Sequence, residues 1–287
     1  MEVRSDGKGT LLVDPGCARA LALRGLDSYS ALMRFRGDGP AREKPARRIV
    51  RLVLPGAPAA AGARPGAFFL KQHIRGSLRE ALGDLLGGRM PRSAARREWE
   101  AIGALRAAGV RTMSPVALGE ARRLPWLGGS FILTAEVGGV RLEDWIRSFR
   151  GNFREKRCIL SSLAGCARAM HGAGLTHRDF YLCHIFLLPA SAGGGPALID
   201  LQRVRRGRAR LARRAVKDIA ALNYSAPSPA VTRADRMRFL LAYLGLRTLD
   251  AAGRRFAVRV AGKTERIRRH DMKKQARAAA AAPGEGE

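Results

Sequence analysis

The run GLTHRDFYLCHIFLL (174–188) places His177, Arg178 and Asp179 between a helical segment and an apolar stretch. An aspartate in that setting can close a turn or cap a helix. It can also take the proton from an attacking hydroxyl. Phosphoryl transfer asks little covalent help of a protein: a cation for the nucleotide phosphates, carboxylate for a metal ion, and a carboxylate beside the nucleophile. The chain offers these in the kinase order. Lys71 ends the apolar strand AFFL, Glu98 lies on the next helix between Arg97 and Trp99, Asp179 follows His-Arg, and Asp200 follows ALI at the end of a short strand. Each has an ordinary alternative alone. Lys71 suits a solvated strand edge, and Asp200 suits a turn. Glu98 suits a surface pair along a helix, with Glu100 as its rival on the same helix. Their order, with strands and helices correctly interleaved, points to an ATP-dependent phosphotransferase that uses Mg²⁺.

Two departures from that template narrow the chemistry. The fifth residue after Asp179 is His184 rather than Asn. A neutral imidazole hydrogen-bonds much as an amide does but is a poor ligand for hard Mg²⁺. His184 is therefore expected to orient a ligand or the loop. Asp200 is followed by Leu201-Gln202 instead of Phe-Gly, and the chain reaches Asp218 after only 18 residues with no A-P-E segment. That leaves no room for a long activation loop, which favours a small-molecule or glycan acceptor and argues against control by loop phosphorylation. No G-x-G-x-x-G precedes Lys71. Gly37 and Gly39 in RGDGP (36–40) are the candidates for a turn over the phosphates, with an ordinary hairpin turn as the alternative.

The elements that must hold these residues can be read coarsely. IVRLVLPG (49–56) and GAFFLKQH (66–73) read as a hairpin with an enlarged Pro/Gly/Ala loop. Ser93 N-caps a helix whose Ala94, Ala95, Glu98, Trp99, Ile102 and Leu105 recur at helical spacing, with Gly109 as its stop. GSFILTAEVGG (129–139) is β-rich. LEDWIRSF, EKRCILSSLAGCARAMHGAG, AVKDIAALNYS and TRADRMRFLLAYLGL are helical, and ALIDL is a short strand. The order predicts an α+β, protein-kinase-like bilobal fold. Its expected parts are an N-terminal extension (1–30), a small β-rich lobe (31–137), a mostly helical lobe (138–277) and a disordered low-complexity tail (278–287).

Composition bounds the partners. There are 53 Lys and Arg against 24 Asp and Glu, a net charge of +29 that draws polyanions. A non-catalytic nucleic-acid binder is the alternative that charge alone suggests. The chain has no recognised binding motif, and its 6% aromatic residues lie mostly in apolar runs, so no specific nucleic acid is expected. The four cysteines show no metal spacing and read as reduced thiols. The start lacks an apolar signal region, and no run has the length of a membrane span. A cytosolic protein able to rest on an anionic membrane is expected.

At this point the residues resemble a family. FFLKQH, RMPRSAARREWEAIGALRAAGVRTM, SFILTAE, HRDFYLCHIFLL, LIDLQRVR and VKDIAAL look like the lipopolysaccharide core heptose(I) kinases, within the lipopolysaccharide kinase group of the protein-kinase-like superfamily. The block H-R-D-aromatic-Tyr-x-Cys-His is the most particular of these, and it makes His184 the family's own pattern. The resemblance covers about 30 to 275. It implies transfer of the ATP γ-phosphate, with Mg²⁺, to the first heptose of the inner core on a lipid A precursor. The octulosonate (Kdo) sugar of the same core is the alternative acceptor. Asp179 would be the base and Asp200 the metal ligand, while Lys71 paired with Glu98 would hold the α/β-phosphates. The backbone near Glu136 and Val137 would meet adenine, and Asp218 would brace the loop that carries His177 and Arg178. RVRRGRARLARRAVK (203–217) and GKTERIRRHDMKK (262–274) are candidate contacts with the anionic face of the inner membrane, or with an acidic protein such as an acyl carrier protein.

Overall fold

The computed structural model describes residues 1–58, 62–86, 88, 90–124 and 126–281. They form two compact units, one of residues 1–139 with 188–204, the other of 140–187 with 205–287. The first unit begins with β1 (Glu2–Ser5), β2 (Gly9–Val13), α1 (Pro15–Leu23) and α2 (Tyr29–Arg34). Then come β3 (Arg42–Lys44), β4 (Arg47–Val53), β5 (Ala63–His73), α3 (Leu78–Leu86), α4 (Ala94–Ala107), β6 (Arg111–Thr112), β7 (Pro115–Ala121) and β8 (Ser130–Val137). The second unit opens with β9 (Val140–Arg141), α5 (Leu142–Ser148), α6 (Phe153–Gly172), β10 (Leu175–Thr176) and β11 (Ile185–Leu188). The chain returns to the first unit for β12 (Gly195–Leu198). It then completes the second with β13 (Arg205–Arg206), α7 (Leu211–Ser225), α8 (Arg233–Leu244) and α9 (Ala251–Ala281).

The first unit is a seven-stranded sheet in the order β1-β2-β7-β8-β5-β4-β3. The residues read only as an extension thus supply β1, β2, α1 and the first two residues of α2, and β2 pairs with β7 from Gly9↔Ala121 to Val13↔Ala117. Strand alternation explains what each face of β5 does. Phe68 and Leu70 turn into a core with Leu11, Val50, Leu52, Phe131 and the buried residues of α1 and α2. Gln72, on that same face, is fully buried and donates its amide to the carbonyls of Leu32 (2.6 Å) and Phe35 (2.9 Å), at the end of α2. Ala67, Phe69, Lys71 and His73 occupy the other face, and α4 packs against β5, β7 and β8.

Helix α4 forms where its sequence says it should. The Ser93 hydroxyl accepts from the Arg96 amide at 3.0 Å, and Gly109 adopts φ +73° just past the end. Ala95, Glu98, Ile102 and Leu105 form its buried stripe at i, i+3, i+7 and i+10. In the second unit α6 packs on α8 and α7 on α9, with Met170, Phe180, Ile185 and Ala220 in its interior. Helix α9 runs through Ala281, four residues into the stretch expected as tail; 282–287 lie outside the described residues. No helix among the described residues is long and apolar enough to cross a membrane.

Candidate active site

The sheet of the first unit brings three charged groups together. Glu98 takes a place in the apolar stripe of α4 and is 1% exposed. A carboxylate so buried requires a partner, and the opposite face of β5 supplies one. Lys71 Nζ donates to Glu98 Oε1 at 2.7 Å and Oε2 at 2.9 Å. It also donates to Asp200 Oδ1 at 3.3 Å. Burial works against the Lys71 ammonium, but the charges of Glu98 and then Asp200 outweigh it and hold its pKa above the ordinary value. Asp200 follows β12 with φ +56°, a left-handed backbone that Asp tolerates better than most residues. Its side chain keeps 28% of its surface open. One partly open carboxylate beside a fixed cation suits a hard divalent ion, which takes few protein ligands and completes its shell with phosphate and water oxygens.

Two neighbours of this trio escaped the sequence reading. His73 lies two residues beyond Lys71 on the same face, 7% exposed. Burial first, then the Lys71, Arg47 and Arg97 charges, push its pKa down to about 3, so the ring is neutral. Arg47 pairs across the sheet with His73 and donates to Gln202 Oε1 at 2.7 Å. The residue two places after Asp200 is thereby tied to β4. The i+2 spacing could have flagged His73; nothing local flags Gln202.

The residues expected to form the catalytic loop are organised within the second unit. Asp218 on α7 is fully buried. It accepts from the His177 amide at 2.7 Å and the Arg178 amide at 2.8 Å. His171 Nε2 lies 3.3 Å from the same carboxylate, and its Nδ1 lies 2.8 Å from the Tyr243 hydroxyl. Arg178 sits at φ +73°, strained backbone for a long side chain, of the kind that collects at functional loops. Asp179 follows it. Beyond Asp179 the loop is pinned by fully buried Phe180 and by the Leu182 amide, which donates to Ser225 Oγ at 3.0 Å. His184 Nδ1 donates to the Asp179 carbonyl at 2.8 Å, and its ring stacks on His177. That bond fixes the tautomer and spends one ring nitrogen on loop geometry.

Gly37 and Gly39, the candidates for a turn over the phosphates, lie before β3 and outside the β3–β4 turn. The β3–β4 hairpin turns at Pro45-Ala46. Gly37 takes φ +101°, where a Cβ would meet Val50 Cβ at 2.8 Å. Asp38 between them accepts from Arg24 and from the Val53 amide. The stretch is thus held against the edge of β4, and that close approach is what its glycine serves. At the end of β8, Glu136 pairs with Arg51 (3.2 Å) and Arg64 (3.3 Å). Val137 lies opposite Ala63, and the next amide, Gly138, donates to the Gly62 carbonyl at 2.7 Å.

A separate apolar cavity of about 260 Å³ lies within the second unit, lined by Trp145, Leu163, Leu222 and Leu240, with Lys156 and Arg236 among its polar lining.

Known proteins share both sequence and fold with this chain. The family model described as Lipopolysaccharide kinase (Kdo/WaaP) family matches residues 63–243. The lipopolysaccharide core heptose(I) kinase WaaP of Escherichia coli K12 is 33% identical over 262 residues, covering 88% of this chain and 95% of that protein. The Pseudomonas aeruginosa protein of the same name is 36% identical over 227 residues, covering 76% and 81%. A solved structure titled WaaP in complex with acyl carrier protein superposes with a TM-score of 0.64 at 32% identity, covering 92% of this chain and 98% of that one. The chain shares its α+β fold with that structure, and it belongs to the lipopolysaccharide kinase (Kdo/WaaP) family.

Proposed function

We propose that this chain is the ATP-dependent kinase of the first heptose of the lipopolysaccharide inner core. The observation that carries the reading is the Lys71–Glu98–Asp200 cluster, in a chain about one-third identical to kinases named for that acceptor. Glu98 holds the Lys71 ammonium in place for the α/β-phosphates of ATP. Asp200 would hold Mg²⁺, which would supply positive charge to the phosphates. The backbone near Glu136 and Val137 meets adenine. Asp179 accepts the proton of the attacking sugar hydroxyl, and Asp218 fixes the loop from which it acts. His184 keeps the Asp179 backbone in position through its carbonyl. An imidazole stands where the kinase template has a metal-binding amide, so Asp200 would be the principal protein ligand for Mg²⁺.

The acceptor is bound to lipid, so the working place is the cytoplasmic face of the inner membrane. The net charge of +29 suits that anionic surface. An acyl carrier protein is the further partner. Such carriers are acidic, the basic residues of α9 offer a complementary face, and the apolar cavity of the second unit has a lining that takes an alkyl chain.

The test is phosphate transfer from γ-labelled ATP with Mg²⁺ to heptosylated, unphosphorylated inner-core lipopolysaccharide. Acceptor ending at the octulosonate sugars runs beside it, with Asp179→Ala as blank. Label confined to the heptosylated acceptor supports the proposal. Label on both acceptors moves the activity to the octulosonate sugar, and label on neither sinks the reading.

A further inference from the structure

Helix α3 is folded inside out. At 100° per residue, Leu78, Leu82, Leu85 and Leu86 fall within an arc of about 100°, and Glu80 and Asp84 fall on the opposite side. An amphipathic helix on a globular protein ordinarily turns its leucines inward. Here the four leucines are exposed by 66%, 57%, 56% and 89%. Asp84 turns toward the protein instead, while Glu80 keeps 51% of its side chain open. Arg97 of α4 donates to Glu80 Oε2 at 2.5 Å and to Asp84 Oδ2 at 3.2 Å. Asp84 is 6% exposed, and Ala81 beside it is buried. One arginine therefore clasps both carboxylates of the helix and fixes its rotation with the leucine face outward.

Ile74 (39% exposed) and Met90 (72% exposed), before and after the helix in sequence, are also open to solvent. Arg75 and Arg79 are exposed beside it. Both acids of α3 are held by Arg97, so the charges left at the rim of the leucine stripe are positive. An exposed leucine stripe with a basic rim matches the boundary of an anionic bilayer: acyl chains below, phosphate headgroups at the edge. A protein partner would leave the positive rim unexplained unless that partner were itself acidic.

We propose that α3 is the membrane-docking element of this protein, inserting Leu78, Leu82, Leu85 and Leu86 into the interface of an anionic bilayer while Arg75 and Arg79 meet headgroup phosphates. The choice of a bilayer rests on the lipid-bound acceptor proposed above. The docking element lies in the β-rich unit, away in sequence from the basic stretches 203–217 and 262–274 that charge alone singles out.

The experiment compares the full chain with L82Q/L85Q, which leaves net charge unchanged. Binding is read by flotation with vesicles of phosphatidylcholine and phosphatidylglycerol, against phosphatidylcholine alone, at low and high salt. The vesicles contain no lipopolysaccharide and the buffer no ATP, so a failure of the kinase reading does not enter the result. The wild-type chain is expected to bind the anionic vesicles and to keep part of that binding at high salt. L82Q/L85Q is expected to bind about tenfold or more weakly and to lose the salt-resistant part. It should still phosphorylate a detergent-free, water-soluble core acceptor as the wild type does. A second reporter, Leu82→Trp, is expected to shift its emission to the blue on anionic vesicles. Wild-type vesicle binding by L82Q/L85Q, or no shift from the tryptophan, overturns the proposal. So does a finding that L82Q/L85Q instead turns a dimer into a monomer or weakens binding to an acyl carrier protein, because the stripe then belongs to that protein contact.

Discussion

Removing the Asp218 carboxylate should unfasten the catalytic loop before it affects the rest of the fold. Asp218 has no exposed surface and accepts from two consecutive backbone amides, His177 at 2.7 Å and Arg178 at 2.8 Å. A hydrogen bond to a charged acceptor contributes about 1.5–3 kcal/mol, so the pair is worth about 3–6 kcal/mol. Asp218→Ala also strands two amides in a protein interior and leaves Arg178 without the bond that offsets its left-handed backbone. That loss is a large fraction of the roughly 5–15 kcal/mol that holds a typical domain folded. Asp218→Asn keeps one acceptor oxygen but turns an NH₂ group toward the second amide, and should lose about half as much, ~2–3 kcal/mol. Native-state hydrogen exchange at His177 and Arg178 is the decisive assay because it reads local opening without requiring two-state unfolding of a two-unit chain. Exchange there should accelerate about a hundredfold or more in Asp218→Ala, with less change in β5 and β8, and phosphate transfer should fall with it. Unchanged protection of the two amides, or transfer at the wild-type rate, would refute the bracing role.

Asp179→Ala and Asp200→Ala should fold with wild-type circular dichroism and lose transfer by about 10²-fold or more; near-wild-type turnover in either removes its assigned role. Glu98→Gln takes away the main partner of a buried ammonium. It should cost about 3–5 kcal/mol in urea unfolding and raise the KM for ATP, because the retained amide oxygen carries no charge and Asp200 is left as the one carboxylate on Lys71. Gln202→Leu should raise the Mg²⁺ concentration needed for half-maximal rate, and Gln202→Glu should restore it, since an acceptor for Arg47 is what holds the segment after Asp200. His73 has a folded-state pKa of about 3, below its unfolded value of about 6.5. The stability that a neutral His73 permits is complete above about pH 6.5 and is lost as pH falls toward 3; at pH 5 the loss is about 2 kcal/mol. His73→Leu should remove that part of the acid sensitivity, read as the change in urea midpoint between neutral and acid buffer. An unchanged acid loss in His73→Leu would show that another group titrates there.

What was legible in the sequence was what local spacing encodes. The Ser93 cap, the stripe carrying Glu98, and the alternation that puts Lys71 opposite Phe68 and Leu70 are all set within one helix or strand. What was not legible depends on partners far along the chain. Residues 1–30 make sense only once β2 finds β7, about a hundred residues away. The glycines of RGDGP looked like a phosphate turn because the turn actually present, Pro45-Ala46, has no glycine to announce it. The link from Arg47 to Gln202 spans 155 positions. Helix α3 misleads in a different way. Its leucine pattern is clear, but the rule that apolar faces turn inward predicts the wrong side, because it takes no account of the charged clasp supplied by Arg97.

The short segment after Asp200 reaches Asp218 in 18 positions, which is the ground for expecting no control by a phosphorylated loop. Kinases with long activation segments leave the metal-binding Asp and the catalytic loop mobile until a new phosphate orders them. Here each is tied by bonds already built into its own unit. Asp200 contacts Lys71, and Gln202 is held by Arg47. In the second unit, Leu175 and Thr176 run directly into the catalytic loop and pair with Arg206 and Arg205, and the Gly207 amide donates to Gly174 at 2.9 Å. The chain leaving the Asp200 segment therefore forms a strand with the entry to the Asp179 loop, so the ordering that others obtain by modification is supplied by main-chain pairing. Among the described residues, the segments that follow Asp200 and precede Asp179 are both held by these bonds. The protein's rate should follow the supply of ATP, Mg²⁺ and acceptor, and treatment with a phosphatase should leave that rate unchanged.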